Sequence, residues 1–70
     1  MTETQQWIIH FLTGKGWTSP TKIGEAYGRM QDKDGYHSSW SSPKCLVLVQ
    51  KGILERNDNG HYRLKPGNIL

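Results

Sequence analysis

The sequence predicts one α+β domain of three helices and a small antiparallel sheet, and three observations carry that prediction. Helix-entry signals recur at Thr2, at Ser19-Pro20 and in the serine-rich run before Pro43. The apolar stretch after each one runs to a glycine, at Gly14, Gly28 and Gly52, as helices that end in a left-handed residue do. Near the C-terminus, two short apolar runs flank Asp58-Asn59-Gly60, a hairpin signal. Seventy residues suit a single domain over 1–70 and nothing larger.

The first helix is expected over Thr2–Thr13. Thr2 and Gln5 have capping-box spacing, so each side chain can serve the other's free backbone N–H. Ile8, Phe11 and Leu12 stand at i, i+3 and i+4 and form one apolar stripe, with Trp7 beside it and Gly14 as the stop. After the Gly14-Lys15-Gly16 turn, Trp17-Thr18 is expected to form a very short strand.

The second helix starts at Ser19-Pro20, with serine as N-cap and proline where a missing N–H costs nothing. Ile23, Ala26 and Tyr27 supply its buried face and Gly28 its end. About two turns long, it could not stand without neighbours. Gly28–His37 carries two glycines, mixed charges and no periodicity and is expected as a loop.

A third helix is expected to begin at Ser39 or at Ser42, with Pro43 in its first turn, because proline deeper inside breaks a helix. It runs through Lys51 and stops at Gly52. The run Cys45–Val49 also suits a buried strand. Two arguments favour helix: serine caps followed by proline are helical entries, and Lys51-Gly52 lacks the turn chemistry to join two strands. Cys45, Leu48 and Val49 are then the core positions, which points Leu46 and Val47 outward.

The hairpin pairs Ile53–Asn57 with His61–Lys65. A two-residue Asn59-Gly60 loop would set Arg56 against Arg63. A three-residue loop with Gly60 left-handed instead sets Leu54 opposite Leu64, Glu55 opposite Arg63 and Arg56 opposite Tyr62. That register joins apolar to apolar and opposite charges, each pair contributing roughly 0.2–1 kcal/mol, and is the one expected. Pro66 ends the sheet, and residues 66–70 are expected to fray.

Composition removes several function classes. The largest apolar run is far shorter than the roughly 18 residues a membrane span needs. Met1–Gln6 is polar and carries Glu3 where a secretory leader is basic. One cysteine forms no internal disulfide, and a cytosolic setting is expected, nucleoid-associated if bacterial. A chain that is 34% hydrophobic at this length fills one thin core and leaves little for a deep catalytic pocket. His10, His37, His61 and Cys45 lie far apart in the sequence, without C-x-x-C or H-x-x-x-H spacing, so no metal site or catalytic residue is expected. The glycines match no phosphate-binding fingerprint. Neither an enzyme nor a cofactor is expected.

Three segments carry a resemblance: Ser19-Pro20-Thr21-Lys22-Ile23-Gly24-Glu25-Ala26, then Leu48-Val49-Gln50-Lys51-Gly52-Ile53-Leu54-Glu55-Arg56, then Gly60-His61-Tyr62-Arg63-Leu64. In this order they resemble the winged helix-turn-helix superfamily. The middle segment is similar to that family's junction between third helix and wing, and the last is similar to its return strand. The resemblance spans nearly the whole chain. Its motifs speak to fold more than to function, because winged helices also serve as protein-interaction modules. One departure stands out: about ten residues separate Gly28 from Ser39, where the family's turn usually has about three to four.

The resemblance implies a small transcriptional or replication regulator that binds double-stranded DNA. Its third helix would enter the major groove and its hairpin would lie on the adjacent backbone or minor groove. The implied contacts are Ser38, Ser39, Trp40, Ser41 and Ser42 at the helix start, with Lys44 behind them, and Lys22 on the second helix. On the wing they are Arg56, Asn57, Asn59, His61 and Arg63. Each has a plainer reading: the serines as caps, Trp40 as a core or rim aromatic over the first helix, Lys44 as a solvated lysine. Lys65 adds a further donor on the wing, and Lys15, Lys22 and Arg29 would extend the basic surface from the second helix. Of the net +3 charge, all lies between Gly35 and Leu70, where five Lys/Arg meet two Asp/Glu, as phosphate neutralisation requires. The outward pair Leu46 and Val47 points elsewhere, to a homodimer seam or a protein partner, unless the long loop or the tail residues Ile69 and Leu70 cover it.

Overall fold

The computed structural model describes residues 2–66. Three helices, α1 (Glu3–Leu12), α2 (Pro20–Gln31) and α3 (Ser38–Gln50), precede a two-stranded antiparallel sheet of β1 (Leu54–Arg56) and β2 (Tyr62–Leu64). The α+β class and the order of three helices followed by a hairpin are those expected. The tail residues Gly67–Leu70, and any cover that Ile69 and Leu70 give Leu46 and Val47, lie outside the described residues. No helix among the described residues is long and apolar enough to cross a membrane.

Local chemistry accounts for most boundaries. The Thr2–Gln5 capping box forms in both directions, and the Ser19 hydroxyl accepts from the Lys22 N–H. At the end of α3, Gly52 is left-handed, with φ +78°. Its N–H reaches the Val49 carbonyl while that of Ile53 reaches Leu48, the paired bonds that close a helix on glycine.

The hairpin has the argued register, Leu54 with Leu64, Glu55 with Arg63 and Arg56 with Tyr62, and Gly60 takes the left-handed position. The strands are three residues each rather than five. Their hydrogen bonding continues one step each way, from Asn57 N–H to His61 and from Lys65 N–H to Ile53.

Four expectations need correction. α2 does not stop at Gly28 after two turns but runs 12 residues to Gln31. Gly28 is buried within it, and a Cβ there would meet the Lys33 carbonyl at 2.8 Å and the Tyr36 ring at 3.2 Å. The glycine answers to packing, and the left-handed stop falls to Asp32, φ 56°. The loop is consequently shorter, residues 32–37, because residues 29–31 and Ser38 of the apparent insertion are helical. α3 starts at Ser38, with His37 as N-cap and no side-chain cap, rather than at Ser39 or Ser42. Trp17-Thr18 is not a strand: Thr18 alone bridges Tyr62, through both backbone bonds at 2.8 and 2.9 Å.

The same shift puts Pro43 in the interior of α3, not in the first turn. Its missing N–H leaves the Ser39 carbonyl without a helical donor. Ser39 and Pro43 are both exposed, so water reaches that carbonyl. Ser41 on one side, and Cys45 and Leu48 on the other, are fully buried and hold the helix course across the gap. Pro43→Ala is therefore expected to raise stability by about 2–2.6 kcal/mol. That is the interior-proline cost of about 3 kcal/mol, less the roughly 0.4–1 kcal/mol of unfolded-chain entropy that proline removes. Urea unfolding followed by circular dichroism checks it.

The core is Ile8, Ile9 and Leu12 of α1, Ile23 of α2, Cys45 and Leu48 of α3, Leu54 and Tyr62. Ile9 takes the fully buried place expected for Phe11, which is half-buried and stacks on Trp7 at 5.1 Å. On α2 the buried residues are Ile23, Gly24 and Gly28, with Ala26 and Tyr27 half-buried. Burial pushes the Cys45 thiol up from 9.0 to about 12. The folded state therefore keeps its proton longer than the unfolded chain does. The stability this contributes is complete below about pH 9 and is lost as pH rises from there toward 12. The expected result is a urea midpoint for the native chain that falls faster over that window than the midpoint of Cys45→Ala.

Candidate nucleic-acid interface

The start of α2 is the junction that organises the surface. On one side, Thr18 ties it to the return strand at Tyr62. On the other, the Ser41 hydroxyl of α3 donates to the Pro20 carbonyl as well as to that of His37. The first turns of α3 and the hairpin are thus both anchored to residues 18–20.

The helix start brings some expected contacts to the surface and removes others. Ser39 is exposed, and Ser38 and Ser42 are half-buried. With no side chain capping α3, the N–H groups of its first turn point toward this end, where they favour anions. Ser41 is the correction: it is fully buried and its hydroxyl is held by carbonyls of α2 and of the chain before α3, so it reaches no ligand.

Trp40 packs against α2 and the loop rather than directly over α1. Its ring stacks on Tyr27 at 4.4 Å and meets Tyr36 edge-on at 5.5 Å. Tyr27 in turn meets Trp7 edge-on, so four rings clasp α1, α2, the loop and α3 together. Nothing in composition announced this cluster, since Trp7 and Tyr27 stand far in sequence from each other and from Tyr36 and Trp40. Lys44 lies along it: its ammonium sits 4.7 Å from the centre of the Trp40 ring and donates to the Trp40 carbonyl at 3.3 Å. It is half-buried and would have to leave these contacts to meet a phosphate fully.

On the hairpin, Arg56 and Asn59 are exposed and His61 is half-buried. Asn57 belongs to the turn, since its side-chain oxygen accepts from the N–H groups of Asn59 and His61. Arg63 is held between Glu55, 2.5 Å away, and the Trp17 ring, whose centre is 4.3 Å from its guanidinium carbon. The hairpin therefore offers Arg56, Asn59, His61 and the exposed Lys65, while Arg63 is largely committed to neighbours.

The outward face of α3 carries no charge. Ser39, Pro43, Leu46, Val47 and Gln50 are all exposed, opposite the buried Ser41, Cys45 and Leu48. Leu46 is 45% and Val47 39% exposed, as the core alignment of the helix requires.

The basic residues expected to extend the surface from α2 gather with Trp17, which sequence reading did not place there. An open groove of about 640 Å³ runs between the end of α1, α2 and the hairpin, lined among others by Lys15, Trp17, Lys22, Glu25, Arg29 and His61. Trp17, placed in a strand by expectation, is instead 40% exposed. Its position between Gly16 and the Ser19-Pro20 helix start was the available signal, because an aromatic in a turn has no periodicity to bury it. Among the described residues no group of three or more His, Cys, Asp or Glu side chains gathers where it could hold a metal ion.

Comparison with known proteins finds no matching family model, no matching curated protein and no matching solved structure.

Proposed function

We propose that the chain is a winged helix that binds duplex DNA as a small transcriptional or replication regulator. In this reading the N-terminal half of α3 enters the major groove, and the hairpin lies on the adjacent backbone. The observation that carries it is the junction at residues 18–20. One short segment anchors both the hairpin, through Tyr62, and the first turn of α3, through Ser41. Such an arrangement presents a helix start and a basic hairpin from one rigid frame. Ser38, Ser39 and Ser42, with the uncapped N–H groups, would meet phosphate and base edges. Arg56, Asn59, His61 and Lys22 would meet the backbone.

The longest dimension of the molecule is 33 Å, about one turn of duplex, so one copy reads a single half-site. Titration of the labelled protein with random duplex DNA, followed by NMR, tests the surface. Shifts should cluster on Ser38, Ser39, Ser42 and Arg56–His61. Shifts confined to α1 and the 32–37 loop would overturn the reading.

A second reading, a protein-interaction winged helix, is favoured by the uncharged outward face of α3 with its exposed Leu46 and Val47. It would take a second copy or a protein partner there. It requires that Leu46→Asp abolish association in sedimentation while Lys44→Ala changes it little. Loss of DNA binding in Lys44→Ala and Arg56→Ala with unchanged self-association would overturn it.

A further inference from the structure

The groove beside α2 offers something a duplex cannot use. Trp17 lines it with 40% of its surface exposed. One side of the indole is occupied by the Arg63 guanidinium, 4.3 Å from the ring centre, which Glu55 holds in place. The ring is therefore oriented from behind while remaining open to solvent. Around it stand Lys15, Lys22 and Arg29, opposed by the single carboxylate of Glu25, with His61 at the hairpin side. All three cations are exposed. None has a carboxylate partner among the ion pairs of the described residues, where Arg63 with Glu55 is the pair found.

An open aromatic ring inside a ring of cations is the combination that binds unpaired nucleic acid, since each base offers a π-face and each linkage a charge. Paired bases keep their faces inside the duplex stack, so a double helix could offer this groove phosphates but nothing for the indole. We propose that the groove binds a single-stranded segment of nucleic acid. One base stacks on Trp17 and the flanking phosphates lie on Lys15, Lys22 and Arg29. The site lies apart from the serine end of α3 but shares Lys22 and His61 with the proposed duplex backbone contacts, so Trp17, Lys15 and Arg29 are the residues that set it apart.

The test is fluorescence anisotropy of the full chain with a labelled oligothymidylate of about ten nucleotides, a length within the range of known single-strand sites. Three phosphate contacts predict a log–log salt slope of about −2. Trp17→Ala should weaken binding roughly tenfold or more, and Arg29→Glu should weaken it and flatten the slope. Binding of random duplex should change less than about twofold in Trp17→Ala, which separates this site from the duplex surface. Should Trp17→Ala fail to fold by circular dichroism, Arg29→Glu, a change at an exposed position, carries the test alone. Oligothymidylate binding that is absent, or that is indifferent to both substitutions, overturns the proposal. So does equal affinity for inorganic polyphosphate of matching charge, because charge alone would then be read. Loss of duplex binding in Arg56→Ala with no oligothymidylate binding in the native chain overturns this site and leaves the duplex reading standing.

Discussion

Tyr62→Ala is expected to leave the chain unfolded at 25 °C. The Tyr62 ring is 2% exposed and belongs to the one core that all three helices and the hairpin share. Its backbone also forms the two bonds that tie the hairpin to Thr18. Truncating a large buried aromatic costs about 3–5 kcal/mol, and a single core of this size rarely supplies more than about 3–5 kcal/mol in total. The loss therefore matches the whole stability. Far-UV circular dichroism should show coil for Tyr62→Ala and native helix for Tyr62→Phe, which keeps the ring. A cooperative urea transition in Tyr62→Ala would show that the hairpin is an accessory to a helical core, contrary to the packing described.

Gly24→Ala is the second large effect, and its sign opposes helix propensity. In an exposed helix the change would stabilise by about 1 kcal/mol. Here a Cβ at Gly24 would stand 2.6 Å from the His37 carbonyl oxygen and 2.9 Å from the His37 carbonyl carbon and nitrogen. The neighbour is backbone, which no rotamer change can move. α2 and the entry to α3 must separate, at a cost of about 3 kcal/mol, the upper part of the overpacking range. The net loss of about 2 kcal/mol corresponds to a fall in melting temperature of roughly 8–16 °C for a domain this small. Because the displaced segment is the start of α3, nucleic-acid binding should weaken in step. A thermal melt followed by circular dichroism checks the first part. An unchanged or raised melting temperature would mean that α2 and α3 are not in close backbone contact.

These two residues also mark what could be read in advance. Tyr62 belongs to a hairpin whose register followed from pairwise charge and apolar matching, a local argument that needs no knowledge of the rest of the chain. The caps at Thr2 and Ser19 and the stop at Gly52 were local in the same way. Gly24 and Gly28 were not. Both are glycine because another segment approaches, and a sequence shows a close approach only as a small residue, identical in appearance to a helix stop. Reading Gly28 as a stop shortened α2 and lengthened the loop, and keeping Pro43 in a first turn moved the start of α3. Pro43 failed for a related reason: a proline rule that holds for a helix in isolation yields to the anchoring of Ser41, Cys45 and Leu48 on either side.

The candidate interface divides along the same line. Residue types marked the hairpin and helix start as donor-rich, and the exposed Arg56, Asn59 and Ser39 keep that role. Side-chain commitments set by tertiary packing removed Ser41 altogether and occupied Asn57, Arg63 and Lys44 in part. Packing also revealed the groove at Trp17, whose cations come from the end of α1 and from α2 although their sequence neighbourhood is electrically neutral overall. The net +3 charge is thus less informative than its placement. The uncharged outward face of α3 makes any duplex contact depend on the helix start and the hairpin.

That dependence makes affinity against salt the most direct measurement of the central claim. Binding of the full chain to a duplex, followed by anisotropy from about 50 to about 200 mM salt, should give a log–log slope near −3 to −4, as about three to five phosphate contacts require. Arg56→Ala should reduce the slope by about one. A slope near zero, or no binding at about 50 mM salt, would contradict duplex recognition by this domain.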